Sequence, residues 1–175
     1  MSKNNEKKEV HVPIYKLSIR AENEPKVATE GKSFTIKFFA KNIGDISFPG
    51  GNVWIYMRYS TLGNLIFYNE PIEISSPIEP NSELQFGSVT PTALAAGYAL
   101  FHVQNASTSD KGQMQFFTCE GKQCFPPHIG SGYFFHTVRI QTHEEIMQRW
   151  EIRIAFISLV IVAVSELANW IIKLF

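Results

Sequence analysis

Two thiols and five imidazoles carry the richest chemistry in this chain. Cys119 and Cys124 bracket Glu-Gly-Lys-Gln, and Phe125-Pro126-Pro127-His128 follows directly. Thiolates suit a soft cation such as zinc, and His128, His136 or His143 could complete the ligand set. Structural zinc pairs usually have two to four residues between them, and a second tight pair is absent. The same spacing closes a small disulfide loop in an oxidising compartment, or leaves two reduced loop cysteines in a reducing one. These three states stay open on the sequence. The histidines (His11, His102, His128, His136, His143) come without a nucleophile elbow, a His-Glu-x-x-His pair or a phosphate loop. His102 and His136 fall within strand-like runs, where a hydrogen-bonded or surface imidazole is the default. Gly130-Ser131-Gly132 precedes no helix and reads as a turn. No catalytic residue, cofactor or enzymatic activity is expected.

A second set of polar residues lies where polarity is costly. Ile154 to Ser165 reads IAFISLVIVAVS, and ELANWIIKLF completes the chain at Phe175. Ile154 to Phe175 is long enough for a transmembrane helix, which needs about 20 residues to cross ~30 Å of hydrocarbon. Glu166, Asn169 and Lys173 interrupt it. At ~100° per residue, Ser158, Ser165, Glu166, Asn169 and Lys173 share one sector of about 100°, with Ala155 and Val162 among them. A carboxylate at mid-bilayer costs at least ~2.5–3.5 kcal/mol, so such residues normally face protein or water. Either Glu166 snorkels while Leu167 to Phe175 bends along the surface, or the stripe meets other helices. Those helices would be copies of this chain or parts of a larger membrane complex. Trp150 and Trp170 sit near the two expected interfaces, as membrane anchors. Thr142 and Glu145 have capping-box spacing, so one helix is expected from about His143 to about Lys173.

Aromatic residues crowd around the cysteines: Phe116, Phe117, Phe125, Tyr133, Phe134 and Phe135. They either fill a core or, at Phe125-Pro126-Pro127, form an exposed tip that docks on a partner. Adjacent Phe134 and Phe135 would face opposite sides of a strand, which puts one of them outside the core.

The elements that must position these residues are β-strands. Eight runs rich in β-branched and aromatic residues are separated by turn residues between positions 10 and 142. Phe34, Ile36 and Phe38 alternate with Thr35, Lys37 and Phe39, and Val53, Ile55, Met57 and Tyr59 fall on one face. Short alternating strands imply an all-β fold, an antiparallel immunoglobulin-like β-sandwich followed by one long C-terminal transmembrane helix. The expected organisation is a disordered polar N-terminus (1–9), a sandwich (10–142) and a linker-plus-helix segment (143–175). Asn42-Ile43-Gly44 and Pro49-Gly50-Gly51-Asn52 mark loops, the first supplying two residues tolerant of positive φ.

Glu30-Gly31-Lys32-Ser33-Phe34-Thr35-Ile36 followed by Lys41-Asn42-Ile43-Gly44-Asp45 resembles the G-x-x-F-x-I … N-x-G signature of immunoglobulin-like CARDB and prokaryotic adhesion-type modules. Ile78 to Leu84 resembles that family's L-x-P-G-x-x turn, with Asn81 in place of Gly. Ala95 to Val103 resembles its closing strand. The resemblance covers about residues 26 to 104. It implies the sandwich, a binding role, a prokaryotic source and no catalytic residues.

Sixteen Lys plus Arg balance sixteen Asp plus Glu, which excludes a general electrostatic grip on nucleic acid. MSKNNEKKEVHVPIYK holds no apolar stretch of signal-peptide length. Arg139, Arg149 and Arg153 precede the apolar run, with Lys173 beyond it. A tail-anchored protein with a cytoplasmic sandwich is expected, the extracytoplasmic side being the alternative. The function expected is a non-enzymatic membrane binding and assembly module: an accessory subunit or a self-associating protein. Two alternatives are an oligomeric pore lined by the polar stripe, and a metal-binding protein using Cys119, Cys124 and a histidine. The partners expected are the lipid bilayer and other subunits or further copies of the chain.

Overall fold

The computed structural model describes residues 12–62, 66–110, 112–122 and 134–174. The expected disordered N-terminus (1–9) lies outside the described residues. The chain divides into two compact units, one ending at Ile140 and the other beginning at Gln141.

The first unit holds β1 (Ile14–Glu24), β2 (Val27–Thr29), β3 (Thr35–Asn42), β4 (Gly51–Tyr59), β5 (Ile66–Ile74), β6 (Glu83–Val89), β7 (Gly97–Thr108), β8 (Gln113–Phe117) and β9 (His136–Gln141), whose last residue begins the second unit. They form two sheets, ordered β6-β3-β1-β8 and β2-β9-β7-β4-β5. Each of the eight expected runs overlaps one of these strands. β2 is the addition, too short to show any alternation. The pairing is not wholly antiparallel as expected: β1 and β8 run parallel, Ile14 beside Gln113 and Ser18 beside Phe117. That pairing depends on which edge β8 reaches after a long excursion through β4–β7, which no local pattern encodes.

Period-two alternation builds the core. Leu17, Ile19, Ile36, Phe38, Ile55 and Phe101 are fully buried, whereas Thr35, Lys37 and Phe39 point the other way. Phe38 sits at the centre, with ring centroids 6.1 Å from Phe86, 6.2 Å from Phe101 and 6.2 Å from Phe135. Each such side chain contributes about 1.5–3 kcal/mol on burial. Gly51 opens β4 between two strands so close that a Cβ there would lie 2.1 Å from the Ser107 carbonyl oxygen. At this end Tyr15 donates its hydroxyl to Asp110 at 2.5 Å. Asp110 beside it pushes the Tyr15 hydroxyl up to about 12, and the same bond holds the Asp110 carboxyl below its usual range.

The Asn-x-Gly turn makes no use of its tolerance of positive φ. Neither Asn42 nor Gly44 is among the described residues with positive φ; Asn81 is, at 64°. Asn42 acts through its side chain, 1% exposed. Its Nδ2 donates to the carbonyls of Ile46 and Ile78 at 2.8 Å each, and its Oδ1 accepts the Gly44 amide at 2.9 Å. One buried amide thereby ties the loop after β3 to the loop before β6.

The second unit is α1 (His143–Leu174), 32 residues and about 48 Å at 1.5 Å per residue. Thr142 caps it as expected: its Oγ1 accepts the Glu145 amide at 3.0 Å. Glu144 and Glu145 complement the positive end of the helix dipole. The expected transmembrane span over Ile154–Phe175 is not supported. No helix among the described residues is long and apolar enough to cross a membrane. The physical reason is Glu166, which limits the uncharged run to Ile154–Ser165, about 18 Å of the ~30 Å required.

Candidate functional site

In the sandwich, the turn after β8 is built around Thr118. Its amide donates to the Lys122 carbonyl at 2.7 Å, and its carbonyl accepts the Gly121 amide at 2.9 Å. Its Oγ1 accepts the amides of Glu120 and Lys122, both at 3.2 Å. Gly121 takes φ 78°, a left-handed conformation that favours glycine. This stapled turn displays Cys119 as an exposed free thiol and pairs Lys122 with Glu120 at 2.9 Å.

The turn forms one wall of a cleft of about 430 Å³, with Phe134, Phe135, His136 and Thr137 on the other. Cys119 and His136, seventeen positions apart, thus line one cavity. His136 bonds through Nε2 to Asn23 Oδ1 at 2.9 Å, which orients the ring across the two sheets. Burial depresses its pKa and favours the neutral imidazole. No group of three His, Cys, Asp or Glu side chains that could hold a metal occurs among the described residues. Cys124 and His128 lie outside the described residues, as do His11 and the expected docking tip Phe125-Pro126-Pro127. His143 opens α1 in the other unit.

The depressed His136 pKa has a measurable consequence. An unfolded histidine takes its proton near ~6.5, whereas the folded one resists it. The stabilisation is therefore fully present above that pH and is lost as pH falls through the window below it. A His136→Gln variant should show a smaller drop in urea midpoint between about pH 7.5 and 5.5 than the unaltered chain. Equal drops would show that His136 carries no part of the acid sensitivity.

His102 was expected to be an ordinary surface or hydrogen-bonded imidazole. Its neighbours Phe101 and Val103 face the core, so it lies on the outer face of the second sheet, yet it is 2% exposed. It stacks on Tyr56 with centroids 4.7 Å apart and planes at 6°, and Phe134 meets it edge-on at 6.1 Å. Phe135 is buried and Phe134 half exposed, the division expected of that pair.

In the helical unit, Ser158, Ser165, Glu166 and Asn169 are exposed, as are both tryptophans. Ser165 turns its hydroxyl back onto the Val162 carbonyl at 2.8 Å. The Arg153 guanidinium lies 5.7 Å from the Trp150 ring centroid. The side chain of Lys173 lies outside the described residues. Apolar side chains point outward along the helix, from 45% exposed at Val160 to 69% at Ile152. So continuous an apolar surface is unusual in water.

No family model and no curated protein matches the sequence. Among solved structures, the chain is similar to a crystal structure of a CARDB domain from Pyrococcus furiosus, described as in complex with di-metal ions. The match covers 72% of this chain and 93% of that one, at 17% identity and a TM-score of 0.40.

Proposed function

We propose that this protein is a non-enzymatic assembly module of the membrane, in which several copies of α1 gather and each carries a β-sandwich. The observation that carries this reading is the exposure of apolar side chains along α1 combined with the confinement of Ser158, Ser165, Glu166 and Asn169, beyond Ile154, to one sector. A single copy placed in a membrane would leave Glu166 and Asn169 in hydrocarbon, which is costly. Copies that turn this sector inward would cover the polar groups with one another and leave an apolar exterior. Ala155, Ser158, Val162, Ser165 and Asn169 recur at alternating spacings of three and four, the period of a left-handed helical seam. Ala155, Ser158 and Ser165 would let the backbones approach closely, and Asn169 would fix the register.

The test is the native mass of the full-length chain, gently extracted from its own membrane. A defined multiple of 19.9 kDa is expected. A monomer would overturn the reading. Other proteins held at fixed ratio would replace self-assembly with an accessory-subunit role.

A further inference from the structure

At one end of the sandwich the turn after β4 and the loop before β7 are locked together. The Ser60 amide donates to the Tyr98 carbonyl at 2.8 Å, and the Tyr98 amide donates to Ser60 Oγ at 3.1 Å. Thr61 Oγ1 donates to the Ala96 carbonyl at 3.0 Å. The buried Tyr59 hydroxyl donates to Thr92 O at 2.9 Å and accepts the Leu94 amide at 3.0 Å. These bonds hold three apolar side chains outward on a rigid base: Leu62 at 38% exposure, Leu94 at 55% and Tyr98 at 47%.

The chain leaves the sandwich at this same end. Ile140 pairs with Gly97, and His143 begins α1 three residues later. His143 to Trp150 rises about 10 Å in helix, and the three-residue link adds at most about 10 Å. The chain from this end to Trp150 thus reaches at most about 20 Å, and a headgroup layer is ~5–8 Å deep beside the hydrocarbon.

Resting on the membrane anchoring proposed above, we infer that the 60–62 and 92–98 loops seat Leu94 and Tyr98 in the lipid headgroup layer of that membrane. The sandwich is then held at the surface instead of hanging free. An apolar body with a polar tip, as in Tyr98, suits that layer. Because Tyr59 and Ser60 fix the loops beforehand, little conformational entropy is lost on contact.

Nitroxide labels on single cysteines in the full-length chain, with Cys119→Ser and Cys124→Ser, test this in phosphatidylcholine vesicles. Three sites suffice: Leu94→Cys, Ile161→Cys on the helix, and Ile46→Cys, which is similarly exposed at the far end. The label at 161 should be shielded from a water-soluble nickel chelate, the one at 94 several-fold less open to it than the one at 46. Equal openness at 94 and 46, with 161 shielded, overturns the seating and leaves the anchoring intact. An open label at 161 overturns the anchoring and the seating with it.

Discussion

Replacing Asn42 with alanine is expected to destabilise the sandwich by about 3 kcal/mol, roughly 10 °C in Tm for a domain of this size. The figure follows from three side-chain hydrogen bonds, each contributing about 1 kcal/mol net. It stops short of a larger value because the Ile78 carbonyl keeps a second donor, the Phe48 amide at 2.9 Å. Asn42→Asp should be worse at neutral pH. It exchanges the donating NH2 for an oxygen that faces two carbonyls, and it buries a charge without a cation. Acid should partly restore this variant, since a protonated carboxyl regains one donor. Thermal melts of the two variants at neutral and acid pH check both statements. An Asn42→Ala melt within a degree or two of the unaltered chain would mean that the loops are held by their backbone bonds alone.

The same residue shows what local sequence does and does not reveal. Asn42-Ile43-Gly44 is legible as a turn because its composition is local, but the acceptor that gives Asn42 its role, Ile78 O, is 36 residues away. Alternation in β3 and β4 exposed the core faces correctly, since period two depends only on neighbours. Val27–Thr29 has too few residues to alternate, and the parallel β1–β8 pairing is chosen by tertiary packing. His102 looked ordinary because its cover comes from distant residues, Tyr56 on the neighbouring strand and Phe134, 32 positions on. Pairing Cys119 with a histidine was among the sequence-level options, yet Cys-x4-Cys spacing had no means of singling out His136. What selects His136 is the position of β9 beside the turn around Thr118. Glu166 marked the helix as unusual from sequence alone, because its cost depends on its surroundings and not on a contact.

Glu166→Leu is expected to disperse the assembled protein while leaving it in the membrane. A lone helix pays for the carboxylate in hydrocarbon, about 2.5–3.5 kcal/mol, and an assembly hides that group among its copies. Leucine removes the penalty from the dispersed state, which weakens association by roughly 100-fold per copy at 1.4 kcal/mol per tenfold. Loss of interhelical hydrogen bonds, each about 0.6–2 kcal/mol, acts in the same direction. Removing the carboxylate also favours insertion of the single helix, so the variant should still fractionate with membranes. Asn169→Leu should do the same to a smaller degree, since an amide costs less than a charge to leave in lipid. Leu167→Ala is the control, because Leu167 is 63% exposed and lies about 100° around the helix from Glu166, outside the polar sector. Native mass should fall with the first two substitutions and hold with the third. If the Glu166→Leu complex keeps its full mass, the polar sector is not the seam. Glu166 must then sit where water reaches it, with the following turns lying along the membrane surface.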